Sequence, residues 1–346
     1  MTLLATSRPR SYALGAALGY VADHLVGDPR RAHPVAAFGR AAAALEGRLW
    51  RDTRAAGALH TGLCVGGTVA AAALAAAAAA RGRARRAAGA GGAPAHDTTP
   101  APLTSLTALT ALTTWSVLGG ASLRREALGI AHALRAHRLA DARRRLPRLC
   151  GRDPDTLGEA DIARAVVESV AENTSDAVVG ALVWGAVAGV PGLAGFRAVN
   201  TLDAMVGHRS ARYLRFGWAA ARLDDLVGYP GARLTAALAA LAGPAPAAAL
   251  RAWRRDGPRH PSPNAGPVEA AFAGALGLRL GGELSYGGRT EHRAVLNPGG
   301  RAPDAGDIER AVRLSARVCA LALLTTAGAA LLRTPPATTP TEASRA

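Results

Sequence analysis

Three stretches of this chain, Ala58 to Ala80, Leu103 to Ala121 and Leu314 to Leu332, are each apolar over the length a helix needs to cross a bilayer. They predict spanning helices and, with no strand alternation sustained over several segments, an all-α, multi-pass integral membrane protein that carries its polar motifs on loops and helix ends. Two further stretches leave several outcomes open. Ala177 to Val199 is interrupted by Pro191-Gly192, and Ala232 to Leu250 by Pro244 and Pro246, so each can be a kinked span, a re-entrant piece or a buried helix. Alanine is only marginally favourable in a bilayer, so a soluble helical protein with Ala-rich core helices is the competing reading. The run Tyr12 to Val26 behind Arg8 and Arg10 imitates a secretory signal, but it contains Asp23 and His24 and lacks a small-residue cleavage site. It is expected to be retained.

The net charge of +16 is carried wholly by arginine, for lysine is absent. The arginines cluster at 81–86, 124–164 and 251–259 beside apolar stretches, the placement expected at an anionic membrane surface, here the cytoplasmic membrane. No zinc-finger spacing, RNA-binding aromatic motif or groove-reading helix accompanies them, so nucleic acid is not an expected partner. Cys64, Cys150 and Cys319 are odd in number and far apart, which argues against a disulfide framework or a thiolate metal site. One domain is expected over 1–333, with a mobile low-complexity loop at 81–102 and a disordered tail at 334–346.

Within the helical pattern, Glu168, Glu172 and Asp176 lie four residues apart, flanked by Val166, Val167, Val170, Val178 and Val179. Carboxylates at that spacing share one face and repel unless a cation or donors sit among them. Asn173 can add an amide at the same face. Asp23 to Pro34 gathers Asp28 and His33 in a Gly-Asp-Pro turn, for which a structural role is at least as good a reading. Asn200 and Asp203 lie three apart with Arg197 on the same stripe, although Asn200 can equally cap a helix. Asp224 and Asp225 are adjacent acids, one of which can pair with Arg222 at the surface. His260-Pro-Ser262-Pro-Asn264-Ala-Gly266 opens a helix, where donors and the helix terminus favour an anion; a proline-stiffened connector with Glu269 in the first helical turn is the plainer alternative. A hairpin of 58–80 and 103–121 brings Asp23 to Arg54 and Arg124 to Asp176 to one side. The motifs at 200–225 join them only if Ala177 to Val199 does not cross fully. Oxygen-rich sites suit magnesium rather than zinc, and a magnesium-nucleotide enzyme acting on an acidic substrate fits the residues best.

In order, Gly27-Asp28-Pro29 with His33-Pro34, Glu168 to Asp176, Asn200 to Gly207, Arg222 to Asp225 and His260 to Gly266 resemble the motifs of the CobD/CbiB family, the adenosylcobinamide-phosphate synthases of cobalamin biosynthesis. The match runs from about Gly19 to Tyr286. It implies a membrane enzyme that joins aminopropanol, or its phosphate, to a propionate carboxyl of adenosylcobyric acid in an ATP-dependent amide bond, with ATP and magnesium as co-substrate and metal and no tightly bound cofactor. On that resemblance Glu168, Glu172, Asp176 and Asp203 are the catalytic candidates, with magnesium on Glu168, Glu172 and Asp176. Asp28, His33, Asn173, Asn200, Asp224, Asp225, His260, Ser262 and Asn264 are the substrate-binding candidates. Expected partners are the corrinoid, the amine, membrane lipids and other cobalamin-assembly enzymes. The chain departs from the family at Val227-Gly228-Tyr229, where an asparagine is missing, and at Pro267. A corrinoid-transporting or corrinoid-binding membrane component is the alternative from another class, since buried acids serve passage as well as chemistry.

Overall fold

Two helices, α1 (Thr2–Val26) and α4 (Ser105–Val117), run side by side at backbone contact because α1 presents Gly15 and Gly19 to Thr110 and Thr114. A side chain at Gly19 would lie 2.5 Å from both the Ala111 carbonyl oxygen and Thr114 Cβ. Small residues four apart are the device by which helices associate in lipid, where apolar burial supplies no drive. Gly19→Leu is therefore expected to lower the melting temperature of the detergent-solubilised protein by several degrees, whereas Gly47→Ala, with nothing within 4 Å, leaves it unchanged or raises it.

The computed structural model describes residues 2–27, 33–89, 104–286 and 289–333; for 2–8, 82–89, 284–286 and 289–291 only the backbone is described. Between α1 and α4 lie α2 (Pro34–Leu49) and α3 (Arg54–Gly89). Helix α3 turns its apolar surface outward, with only 6% of its most apolar stretch buried. Helix α5 (Gly120–Arg135) continues from α4 after a break at Leu118-Gly119, where the Asp23 carboxylate accepts from the Ala121 N–H at 3.2 Å. Three helical segments, Arg54–Arg81, Ser105–Arg135 and Ala305–Leu332, are long and apolar enough to span a membrane, each overlapping a predicted span. The expected loop from 81 begins later than predicted, because α3 continues to Gly89; arginine and alanine are both good helix formers. Residues 90–102 of that loop, and the expected tail at 334–346, lie outside the described residues.

After α6 (Leu139–Arg145), helix α7 (Glu159–Thr174) passes through a π-helical turn at 175–179 into α8 (Gly180–Ala188). The chain reverses at Gly189, whose φ of +66° suits glycine, and returns as α9 (Val190–Leu202) into a second π-helical turn at 203–207. The arms close tightly, since a side chain at Gly192 would strike the Trp184 carbonyl oxygen. Ala177 to Val199 is thus a helical hairpin that returns to its start, and the motifs on either side of it meet. Helix α10 (Trp218–Ala242) continues through Pro230, and the interruption at Pro244 and Pro246 is the bend into α11 (Pro246–Asp256).

Helix α12 (Ala265–Leu276) is buried along its whole length and leads into an antiparallel hairpin, β1 (Leu280–Tyr286) and β2 (Arg289–Leu296), before α13 (Ala305–Leu332). This hairpin is the one departure from all-α architecture among the described residues. Tyr286 and Arg289 are its last paired residues. Its base is bulged at Gly281 and Gly282, both of positive φ, and is sealed by buried Leu280 and Leu296.

Candidate active site

The acid stripe of α7 faces a cleft closed by the second π-helical turn, α10, α12 and the β hairpin. Val166, Val167 and Val170 fill the core behind it, so the carboxylates are forced to the cleft side. Both π-helical turns carry a motif acid, Asp176 in the first and Asp203 in the second. Such turns re-aim side chains relative to a regular helix and recur at functional sites. Arg197 braces the first of them, donating to the carbonyls of Ala177 at 3.0 Å and Val117 at 2.6 Å and to Asn200 Oδ1 at 3.1 Å.

Glu168 is committed to the protein. One carboxylate oxygen pairs with Arg152, the other accepts from the Gly281 N–H at 2.7 Å, and Arg164 clamps the same strand through the carbonyls of Gly281 and Glu283. Glu172 is accessible to solvent yet closely surrounded by protein. That surrounding protein raises its pKa above the ordinary value; Arg293 on β2 opposes the shift, and Glu168 adds to it. Asp176 is raised well above the ordinary range by burial and then by the charges of Glu172 and Asp224, with Arg197 opposing. Asp203 is raised by burial and by Asp225. A side chain at Gly207 would collide with its Oδ1, which accounts for the glycine that ends this motif.

Of the paired acids, Asp225 meets Arg222 at 3.6 Å, and Asp224 turns inward. Burial and Asp203 push Asp224 up to about 7 against a hydrogen bond from Asn200, and its Oδ1 is buried without a hydrogen-bond partner. Glu269, placed by sequence reasoning in the first helical turn, is instead the fifth residue of α12 and fully buried. Burial and the charges of Glu168 and Glu172 hold it well above the ordinary carboxylate range, while burial and Arg293 lower His260. The two side chains lie 4.0 Å apart, and both shifts favour the uncharged forms.

Several predicted substrate contacts serve the fold. Ser262 Oγ accepts from the N–H groups of Asn264 and Ala265, satisfying the helix start that was expected to hold an anion. Asn264 donates to the Asp225 carbonyl at 2.9 Å and accepts from Arg233 at 3.0 Å. Its amide fills the space that a side chain at Gly228 would occupy. His33 caps α2 through Val35 N at 3.1 Å, and Asn173 bonds back to Ser169. Asp28 lies outside the described residues. Arg152 and Arg293 escaped sequence reasoning, and Glu269 was read only as part of a helix start, because no spacing links them to the acid stripe; the segment before α7, the β hairpin and α12 bring them there.

Among the described residues no group of three or more His, Cys, Asp or Glu side chains forms a ready cation cage. The acids nevertheless fit magnesium, which is usually held by one or two carboxylates completed by substrate phosphates and water, and the unpartnered Asp224 Oδ1 has the donor chemistry such an ion requires. Beside the cleft lies a second cavity of about 860 Å³ lined by Arg54, Arg209, Arg215, Arg222 and Arg233 with Trp218 and Trp253. Asp225 and His260 line it as well.

The family model described as CobD/Cbib protein matches residues 16–315. A Mycobacterium tuberculosis protein named Cobalamin biosynthesis protein CobD is 50% identical over 309 residues, covering 88% of this chain and 91% of its own. Proteins of the same name from Stutzerimonas stutzeri and Rhodobacter capsulatus are 43% identical over 299 residues (84% of this chain, 89% of theirs) and 47% identical over 208 residues (60% and 66%). No solved structure matches.

Proposed function

The chain belongs to the CobD/CbiB family of cobalamin biosynthesis, and from that premise we propose that it is the ATP-dependent ligase that joins aminopropanol or its phosphate to a propionate carboxyl of adenosylcobyric acid at the cytoplasmic membrane. The observation that carries this reading is the convergence of Glu172, Asp176, Asp203 and Asp224 in one cleft bounded by Arg197 and Arg293. Carboxylates whose acidity is weakened by one another's charge are stabilised when cationic reactants enter among them.

A carboxylate and an amine do not condense unaided, so the corrinoid carboxylate oxygen attacks the γ-phosphorus of ATP and the bond to ADP breaks. The amine nitrogen then attacks the acyl carbon, a C–N bond forms, and phosphate departs with the C–O bonding electrons. Magnesium, when bound, supplies charge neutralisation to the phosphates. Asp203 and Asp224 are the residues to hold it, Glu172 and Asp176 orient the ammonium and take the proton it must lose, and Arg293 offsets charge on the departing oxygens. His260 and Glu269, both shifted toward their uncharged forms, pack beside the acids.

Purified protein incubated with adenosylcobyric acid, aminopropanol phosphate and magnesium-ATP is expected to form the amide, seen by mass spectrometry, with one ADP per product. Corrinoid binding or vesicle flux without product would instead favour the transport reading. A separate consequence concerns pH. Because Asp224 holds its proton up to about pH 7, proton and cation compete for it. Affinity for Mn²⁺, followed by its EPR signal, is expected to climb as pH rises through 7 and then level off. Asp224→Asn should flatten that rise.

A further inference from the structure

We propose that the arginine-lined cavity beside the acid cleft docks the phosphates of a nucleoside triphosphate, leaving the acid cleft to the cationic reactants. The assignment rests on the ligase reading and adds to it a place for the nucleotide that the family motifs do not mark. Five guanidinium groups line the cavity against the single carboxylate of Asp225. A triphosphate entering the cleft of Glu172, Asp176, Asp203 and Asp224 would meet four carboxylates against the guanidinium groups of Arg197 and Arg293, whereas one step away the balance of charge reverses. Arginine forks match phosphate oxygens in pairs. Arg233 is already held for that role, stacked 3.4 Å over the Tyr229 ring and hydrogen-bonded to Asn264, with its remaining N–H groups uncommitted to that bond. Arg215 and Arg222 make only open surface pairs, at 3.7 Å with Asp52 and 3.6 Å with Asp225.

Two tryptophans in the same wall offer flat faces for a purine, and a volume of about 860 Å³ is within the usual range for a bound small molecule. Asp225 lines the cavity and its charge also acts on Asp203, so the arginines adjoin the acids and a triphosphate lying among them can present its terminal phosphate there. Nucleotide and amine then approach the corrinoid carboxyl from chambers of opposite charge, and neither reactant has to cross a field that repels it.

The test uses the full-length protein in detergent, a non-hydrolysable ATP analogue with magnesium, and intrinsic tryptophan fluorescence. Wild type is expected to show saturable quenching that Trp218→Phe diminishes. In the double variant Arg215→Gln, Arg222→Gln, whose parent side chains are 65% and 69% exposed and so dispensable for folding, analogue affinity is expected to fall about tenfold. Its KM for ATP should rise by a similar factor with kcat changed less than about threefold, and an unchanged melting temperature verifies the fold. Unaltered analogue affinity and KM in that variant, with amide still formed, would overturn this site while leaving the ligase standing. Loss of affinity for aminopropanol phosphate alone would also overturn it, for the arginines would then serve the amine. A wild-type protein that neither binds the analogue nor makes amide would remove both readings together.

Discussion

Glu172→Gln is expected to lower the rate of amide formation about 10³-fold while leaving the protein folded. This carboxylate alone in the stripe is both open to solvent and within the field of Glu168, Arg152, Asp203 and Arg293 at once. Glutamine keeps its size and removes only the charge, so the change reports what the charge does for the reaction. Losing one preorganised electrostatic group from an active site costs about 10²–10³ in kcat, and here the same group also faces the ammonium. ADP release and corrinoid product, measured together by mass spectrometry, give the result. A rate within tenfold of wild type would remove Glu172 from the reacting centre and leave it as a wall.

Arg152→Ala is expected to destabilise the protein by about 3–5 kcal/mol, the usual consequence of leaving one partner of a buried ion pair alone. Both side chains are almost fully buried, and Glu168 also holds the Gly281 N–H at the base of the β hairpin. Loss of the guanidinium therefore reaches β2, and with it Arg293. Amide exchange at 281–283 is expected to accelerate before the helices respond. The double replacement Arg152→Met, Glu168→Leu, which removes both charges, should recover much of the stability but not the activity. If the single variant unfolds no more readily than wild type, the pair is not holding the hairpin.

Those two residues also divide what the sequence discloses from what it conceals. Glu172 and Asp176 are legible because helical periodicity, a local property, sets them on one face among valines. The paired acids are legible too, down to the partner of Asp225, because Arg222 is only three residues away. Arg152, Glu269 and Arg293 are not, since each reaches the cleft through contacts distant in sequence, and β2 has too few apolar alternations to announce a strand. Ser262 and Asn264 are ambiguous in the sequence for another reason. Polar residues near a helix start satisfy the protein's own N–H groups as readily as a ligand's phosphate, and composition cannot distinguish the two. The close fit of Gly228 to Asn264 and of Tyr229 to Arg233 is likewise invisible until the fold sets them side by side.

The reversal at Gly189 gives the α8–α9 pair the character of a ruler. Asp176 and Asp203 stand at its two open ends, twenty-seven positions apart along the chain, and their meeting depends on both arms having matched length and phase. Each residue added to a helix advances it by about 1.5 Å and turns it by about 100°. A single deletion in one arm would therefore swing its acid to another face, however mild the change in composition. Arm length can change only in compensated steps of about two helical turns on both sides. In this part of the chain, insertions and deletions are more damaging than substitutions.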